Sequence, residues 1–297
     1  MLAAIPFPNL SPEIFTIYLG EYEFSLRWYA LAYIAGILIG WRLAVRAVKN
    51  ARLWRDGPPM RVDQIEDLLT WIIIGIIAGG RLGFVLFYQP AYYFANPGSI
   101  IRVWDGGMAF HGGFLGVVLA VYVFSRRHGI GLGNLSDLLA LCVPPGLLLG
   151  RLANFVNAEL WGRPTDLPWG VIFPGPAAQN CAGVLDLCAR HPSQLYEAAL
   201  EGVILGGLLL YLAFRRDWLK TPWLLSGAFF AVYGLSRFTV EYFRQADAQF
   251  ISPDNPLGHV LRLGEAGVTM GQLLSLPMLV VGVTVIVWAR RRQRQAA

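Results

Sequence analysis

Long apolar stretches alternate with short polar segments along most of the chain. A membrane-spanning helix needs about 20 mostly apolar residues, and seven stretches have suitable length and composition. They cover residues 25–46, 66–88, 109–125, 135–156, 193–214, 222–242 and 270–289. Apolar residues are nearly continuous in each stretch, although the third is short. The pattern therefore predicts an all-α integral membrane protein with about seven transmembrane helices.

Positively charged residues predict the orientation of these spans. Lys and Arg cluster after the first, third and fifth spans and at the end of the chain, and the opposite side carries few of them. Cytoplasmic loops are enriched in Lys and Arg, so we expect the N-terminus outside and the C-terminus in the cytoplasm. The first 20 residues lack the features of a signal peptide, so the first span is expected to be uncleaved.

The polar segments show no domain boundary. Residues 1–297 are expected to form a single polytopic membrane domain. The longest outer loop, at about 157–192, contains several prolines and is expected to form an irregular cap.

Composition supports the membrane assignment and narrows the chemistry. The chain is 56% hydrophobic and only 14% charged, whereas soluble domains carry about 25% charged residues. The net charge of +5 follows the membrane topology, so no nucleic-acid partner is expected. Cys142 lies in an apolar run, while Cys181 and Cys188 share a polar loop and are either free or joined in a disulfide. No cluster of His and Cys has metal-ligand spacing, so neither a metal nor a cofactor is expected.

Three arginines lie inside the predicted spans at one depth. Arg81, Arg151 and Arg237 each stand about 7–11 Å below the outer boundary, at 1.5 Å of rise per residue. Ionisable groups are costly in a membrane and indicate a functional site by default. A guanidinium there needs a carboxylate or a phosphate. The arginines either hold helices together through protein carboxylates or bind a phospholipid phosphate. The candidate carboxylates are Glu159, Glu197, Glu201 and Glu241.

Other polar residues lie near the same outer level. His111, flanked by glycines, is either a general base near neutral pH or an interfacial histidine bonded to backbone. Asn154 and Asn157 are three residues apart and so share a helix face. They would donate either to headgroup oxygens or to a neighbouring helix. Tyr29 either belongs to the site or is an interfacial aromatic residue.

Six sequence blocks, in order, resemble a known family. The segment Gly150-Arg151-x-x-Asn154-Phe155-x-Asn157-x-Glu159-x-x-Gly162 closely resembles the signature of bacterial prolipoprotein diacylglyceryl transferases. The resemblance extends from about residue 13 to residue 290. The other similar blocks are Arg27-Trp28-Tyr29, Gly80-Arg81-Leu82-Gly83, His111-Gly112-Gly113, His191-Pro192-Ser193-Gln194-Leu195-Tyr196-Glu197 and Arg237-Phe238-x-x-Glu241-x-x-Arg244-x-x-Asp247.

The resemblance implies a transferase of the bacterial plasma (inner) membrane with its active site toward the outer leaflet. Such enzymes move the sn-1,2-diacylglyceryl group of phosphatidylglycerol to the lipobox cysteine thiol of a prolipoprotein. A thioether forms and glycerol 1-phosphate leaves. The implied partners are therefore phosphatidylglycerol and the signal peptide of a prolipoprotein.

Carried over to this sequence, the resemblance suggests a role for each candidate residue. Arg151 and Arg237 would bind the phosphoglycerol group and stabilise the leaving phosphate, and His111 would help to deprotonate the cysteine, since the thiolate is the nucleophile. The other residues expected to bind or support phosphatidylglycerol are Asn154, Glu159, Gly162, Tyr29, Arg81, Glu241 and Arg244.

Two other classes of protein fit the arginines. A lipid or small-anion transporter would use them as a transient anion site, but paired broken helices near the midplane are typical of transporters, whereas the polar residues here lie toward one leaflet. A purely structural membrane protein would neutralise them with carboxylates. Neither class would form a thioether.

Overall fold

The chain folds mainly into α-helices that follow its apolar stretches. The computed structural model describes residues 4–20, 22–181, 186–264 and 266–295. The helices are α1 (Trp28–Lys49), α2 (Asp63–Phe87), α3 (Pro90–Ala95), α4 (Phe110–His128), α5 (Leu132–Cys142), α6 (Pro144–Val156), α7 (Pro176–Gln179), α8 (Ser193–Glu197), α9 (Leu205–Arg215), α10 (Leu224–Val240) and α11 (Met270–Gln295). A π-helical segment, Ala198–Ile204, joins α8 to α9 without interruption.

Among the described residues, five helical stretches are long and apolar enough to cross a membrane. They are Trp28–Lys49, Asp63–Phe87, Leu132–Val156, Ser193–Arg215 and Met270–Gln295. The apolar helix Leu224–Val240 is shorter, and α4 carries three basic residues in its last turn. The predicted helical membrane protein is thus confirmed in outline, while the number of seven spans and their orientation stay predictions.

Short β-strands, which the apolar pattern did not indicate, lie between the long helices. The strands are β1 (Ile5–Pro6), β2 (Glu13–Leu19), β3 (Tyr22–Arg27), β4 (Val171–Ile172), β5 (His259–Leu263) and β6 (Ala266–Thr269). Strands β2 and β3 form an antiparallel hairpin that leads into α1, and β5 and β6 form one that leads into α11. Strand β1 pairs in parallel with β4 of the cap. The fold is therefore mostly helical rather than strictly all-α.

Glycines let α2 and α4 approach closely. A Cβ atom built on Gly79 would lie 2.8 Å from the Cα of Gly116, and one on Gly83 would lie 2.8 Å from the Cα of Gly112. Small residues four apart allow such backbone contact between membrane helices. The two helices therefore form a tight pair, and a cavity separates part of α2 from α5 and α6.

Two irregularities shape the helices that carry the site. Helix α5 ends at Cys142 and α6 begins at Pro144, because a proline lacks the N–H that would continue the helical hydrogen bonds. The π-helical segment follows Glu197 directly, and single π-helical turns occur frequently at functional sites.

Asp137 anchors α5 to the start of α10, because its carboxylate accepts hydrogen bonds from Ser226 N and Oγ, each 2.7 Å long.

Candidate functional site

Arginines from α6 and from the end of α10 meet glutamates in one ion-pair network. Its members are Arg151, Glu197, Glu201, Arg237, Glu241 and Arg244. The Nε of Arg151 lies 2.9 Å from Oε2 of Glu197, and its Nη2 lies 3.7 Å from Oε2 of Glu201. The other oxygen of Glu197 lies 2.7 Å from Nη1 of Arg244. Glu197 therefore links α6 to the segment that follows α10.

Glu241, like Glu197, pairs with two arginines of this network. One of its oxygens pairs with Arg237 and lies 3.2 Å from Nε of Arg244. Its other oxygen accepts a hydrogen bond of 2.7 Å from Thr269 Oγ1. Gly271 leaves room for this carboxylate, because a Cβ there would lie 2.5 Å from Glu241 Oε1. The end of β6 and the start of α11 thus hold Glu241 in place.

The network is balanced in charge and largely buried. The side chains of Glu197 and Glu201 have no exposed surface, whereas those of Arg151 and Arg237 are 20% and 19% exposed. Within the described residues, neither carboxylate oxygen of Glu201 has a hydrogen-bond partner. Pairing with protein carboxylates, one of the two alternatives for the arginines, is what Arg151 and Arg237 show. Their remaining exposed surface faces a cavity.

This apolar cavity runs along α1 and has a volume of about 750 Å³. Tyr29, Arg151 and Arg237 line one end of it, and Ala44 and Leu68 line the other. Tyr29 and Ala44 are about 22 Å apart along the axis of α1, at 1.5 Å per residue. The cavity is therefore long enough for a fatty acyl chain, and among the described residues that line it the cationic groups lie at one end only.

Asn154 connects Tyr29 to the turn at residues 157–160, which follows α6. Its Nδ2 donates to Tyr29 Oη over 3.3 Å and to Glu159 Oε1 over 2.8 Å, and Asn157 Nδ2 lies 3.4 Å from the same Glu159 oxygen. Asn154 and Tyr29 both line the apolar cavity. Three of the predicted polar residues therefore meet at the cationic end of the cavity.

The turn around Glu159 has an uncommon backbone. Ala158 and Leu160 have positive φ angles of 53° and 56°, which non-glycine residues adopt only where the surroundings enforce them. Gln194 and Ser193 of α8 supply that support by donating to the carbonyls of Glu159 and Leu160, over 2.5 Å and 3.0 Å. The turn presents the Glu159 side chain on the exposed surface of the protein.

Gly162 is a place of close backbone approach. Its N–H donates to the carbonyl of His191 over 2.8 Å, and a Cβ there would lie 2.8 Å from that carbonyl and would collide with the carbonyl of Phe243. Gly162 also forms an antiparallel bridge with Arg244. Its observed contacts are thus with the protein backbone, and they join the cap to the segment that carries Arg244.

Arg81 lies apart from the network, contrary to what a shared depth suggested. Its guanidinium donates to the carbonyls of Ser99 and Ile100 over 2.6 Å and 2.8 Å, and also to the carbonyl of Gly106. Its Cζ lies 5.0 Å from the centre of the Tyr93 ring, and the residue is only 4% exposed. Lipid contact by Arg81 stays a prediction, and its contacts favour a role in holding the segment between α2 and α4.

His111 stands in the first turn of α4 and is exposed. Its ring packs edge-on against that of Phe110, with the centroids 5.6 Å apart. Phe110 lines the apolar cavity. His111 is therefore next to a wall of the cavity, and its role as a base stays a prediction.

The cap is held together by a disulfide and a buried arginine. Cys181 and Cys188 are bonded, and the loop that they close includes residues 182–185, outside the described part of the chain. Arg190 donates to the carbonyl of Ala178 over 2.5 Å and lies over the ring of Trp161, 4.0 Å from its centroid.

Burial, and then the charge of Arg163, lower the pKa of His191. Within the described ranges, no group of three or more His, Cys, Asp or Glu could hold a metal ion.

Some site residues were missing from the sequence interpretation. Tyr233 lines the apolar cavity one turn before Arg237, and that spacing on an α-helix was the signal that could have identified it. Thr269 at the end of β6 and Gly271 at the start of α11 lie beside Glu241, and no local pattern indicates them.

Comparison with known proteins shows the family of this chain. The family described as prolipoprotein diacylglyceryl transferase matches residues 15–288. A phosphatidylglycerol–prolipoprotein diacylglyceryl transferase of Ruegeria pomeroyi is 66% identical over 98% of this chain and 99% of its own. Proteins of the same name from Roseobacter denitrificans and Rhizobium meliloti are 62% and 47% identical, each over 100% of this chain and over 100% and 96% of their own. The chain belongs to the prolipoprotein diacylglyceryl transferase family.

Proposed function

We propose that the chain transfers the sn-1,2-diacylglyceryl group of phosphatidylglycerol to the lipobox cysteine of prolipoproteins. The products are a thioether-linked lipoprotein precursor and glycerol 1-phosphate. Family membership supports this reaction, which is the one that the names of the relatives describe. The observation that carries the proposal is the long apolar cavity with Arg151 and Arg237 at one end.

In this proposal the chain is a single domain, residues 1–297, with seven spans in the bacterial inner membrane. The N-terminus lies outside, the C-terminus lies in the cytoplasm and the active site faces the outer leaflet. The basic residues that end α1, α4 and α11 support this orientation. The cap at 157–192 then covers the site from the outer side.

Arg151 and Arg237 would bind the lipid phosphate and stabilise the charge that develops when it leaves. Planar guanidinium groups bind phosphate through two parallel hydrogen bonds. Glu197 and Glu241 hold these arginines in place before the lipid arrives, and preoriented donors cost little reorganisation during the reaction. Arg244 supports the same carboxylates, over 2.7 Å to Glu197 and 3.2 Å to Glu241.

The chemical step exchanges one bond for another at the sn-3 carbon of the glyceride. The cysteine thiol loses its proton, and the thiolate attacks this carbon. The S–C bond forms while the C–O bond to phosphate breaks, and the electron pair stays on the phosphate oxygen. His111 would accept the thiol proton and pass it to water or to the leaving phosphate.

The remaining residues would bind or support the headgroup. Asn154, Tyr29 and Glu159 form a hydrogen-bonded set at the cationic end of the cavity. Gly162 would keep the cap close to Arg244. Arg81, which stays in this proposal as a lipid-binding candidate, would act from the neighbouring α2–α4 pair.

Thioether formation from phosphatidylglycerol and a lipobox peptide tests this function. Arg151→Ala and Arg237→Ala should each lower turnover by at least about 100-fold, as the loss of a transition-state donor does. Arg102→Ala is the matched control, because Arg102 is exposed and pairs with Asp105 over a long distance of 3.8 Å. Near-normal turnover by Arg151→Ala would contradict the proposal that Arg151 and Arg237 bind the lipid phosphate. Transport of lipid by a wild-type protein that forms no thioether would instead favour the transporter.

A further inference from the structure

A second, smaller cavity shares Arg237 with the apolar one. Its volume is about 150 Å³, and Arg244, Glu241 and Asp247 also line it. The apolar cavity extends from Arg237 along the helices, whereas this outer cavity lies beside the segment after α10 and the start of α11. Arg237 therefore stands between an apolar compartment and a small polar one.

The outer cavity depends on glycines. Gly258, with φ +65°, and Gly271 both line it. A side chain on Gly271 would occupy the place of the Glu241 carboxylate. Thr269 donates a hydrogen bond to Glu241 and fixes its carboxylate. On the side of the outer cavity, Arg237 therefore pairs with a carboxylate whose position is fixed.

We propose that the outer cavity receives the glycerol phosphate group as it leaves the lipid and releases it to the outer side. This inference rests on the proposed function. The reaction separates one molecule into an apolar diacylglyceryl thioether and a small polar phosphate monoester. A charged product is costly in the hydrocarbon region, so it needs an exit that avoids the apolar cavity.

The residues of the outer cavity match the chemistry of this product. Arg237 and Arg244 supply guanidinium donors for the phosphate oxygens. Asp247, exposed at the edge of the cavity, supplies oxygen acceptors for the glycerol hydroxyls. Because Arg237 lines both cavities, one guanidinium can stay bonded to the phosphate while the C–O bond breaks and the product moves outward.

The test fills the outer cavity without touching the arginines. Ala246 lines it, whereas Ala248 is exposed, lies two residues away and does not line it. Ala246→Phe and the matched control Ala248→Phe are compared with wild type in thioether formation, in a single turnover and in the steady state. Added glycerol 1-phosphate serves as the probe of product binding.

Ala246→Phe should show one rapid turnover followed by a steady-state rate at least about tenfold lower, because product release then limits the rate. Its inhibition constant for glycerol 1-phosphate should rise by about tenfold, since the site for the product is occupied. The amplitude of the first turnover counts correctly folded protein, so the steady-state rate is divided by this amplitude. A folding defect then leaves the ratio of the two rates unchanged. Ala248→Phe should behave as wild type in all three measurements.

An unchanged inhibition constant in Ala246→Phe, or single-turnover and steady-state rates that fall in the same proportion, would overturn the exit site. Failure of the proposed function has a different signature, because the wild-type protein would then form no thioether at all.

Discussion

The Nε of Arg151 lies 2.9 Å from Oε2 of Glu197, whose side chain has no exposed surface. Removing one partner of a buried ion pair leaves an uncompensated charge, which costs about 3–5 kcal/mol. The pair joins α6 to α8, and through Arg244 it reaches the end of α10. An anionic lipid that binds Arg151 must therefore compete with a carboxylate that also holds three helices together.

Glu197→Gln should destabilise the protein and lower its activity. The amide cannot neutralise Arg151 and Arg244, so the free energy of unfolding should fall by about 3 kcal/mol, with a lower melting temperature in detergent. Glu13→Gln is the control, because Glu13 pairs with Arg27 at an exposed site and such pairs contribute at most about 1 kcal/mol. Equal melting temperatures for the two variants would show that the network does not stabilise the fold.

Arg81→Lys should loosen the segment between α2 and α4. A lysine ammonium cannot reach the several carbonyls that the planar guanidinium contacts. Trypsin cleavage after the exposed Arg102 should become about tenfold faster, as the free energy of local opening falls by about 1.4 kcal/mol. If Arg81 instead acts only on lipid phosphate, cleavage stays unchanged while the KM for phosphatidylglycerol rises.

Ala44→Phe should change the preference for acyl-chain length. Ala44 is 6% exposed and lines the end of the apolar cavity farthest from the arginines. A ring there would shorten the cavity, so a long acyl chain would be overpacked at a cost of about 1–3 kcal/mol. Turnover of long-chain phosphatidylglycerol should therefore fall by about tenfold relative to a short-chain form. Leu38→Phe is the control, because Leu38 is 57% exposed and does not line the cavity. An equal loss for both chain lengths would argue against this end as a chain-length limit.

His191 should make stability depend on pH. Burial and the nearby Arg163 charge lower its pKa below the ordinary 6.5. The unfolded chain then binds more protons than the folded chain as the pH falls below about 6.5, so stability present at higher pH is lost. The melting temperature of the wild-type protein should drop more between about pH 7 and pH 5 than that of His191→Gln. Tyr196→Phe, which removes only the hydroxyl 3.1 Å from His191 Nδ1, should keep the wild-type slope, and identical slopes in all three proteins would contradict the prediction.

The helices could be predicted because their cause is local. A backbone in hydrocarbon must satisfy its hydrogen bonds internally, so each long apolar stretch is expected to form a helix. Helices Trp28–Lys49 and Asp63–Phe87 agree with the predicted 25–46 and 66–88 within a few residues. The strands before α1 and α11 were not predicted, because a search for long apolar helices does not detect two short strands that pair with each other.

The sequence by itself determined a helical membrane chain and the family it belongs to, and it predicted one level of arginines that includes Arg151 and Arg237. Depth follows from the position of a residue along its own helix, which is a local property. The lateral position of each arginine depends on how the helices pack, so only the tertiary structure separated Arg81, held by carbonyls, from the network around Glu197. The same packing brought Glu241 to Thr269 and created the two cavities that meet at Arg237.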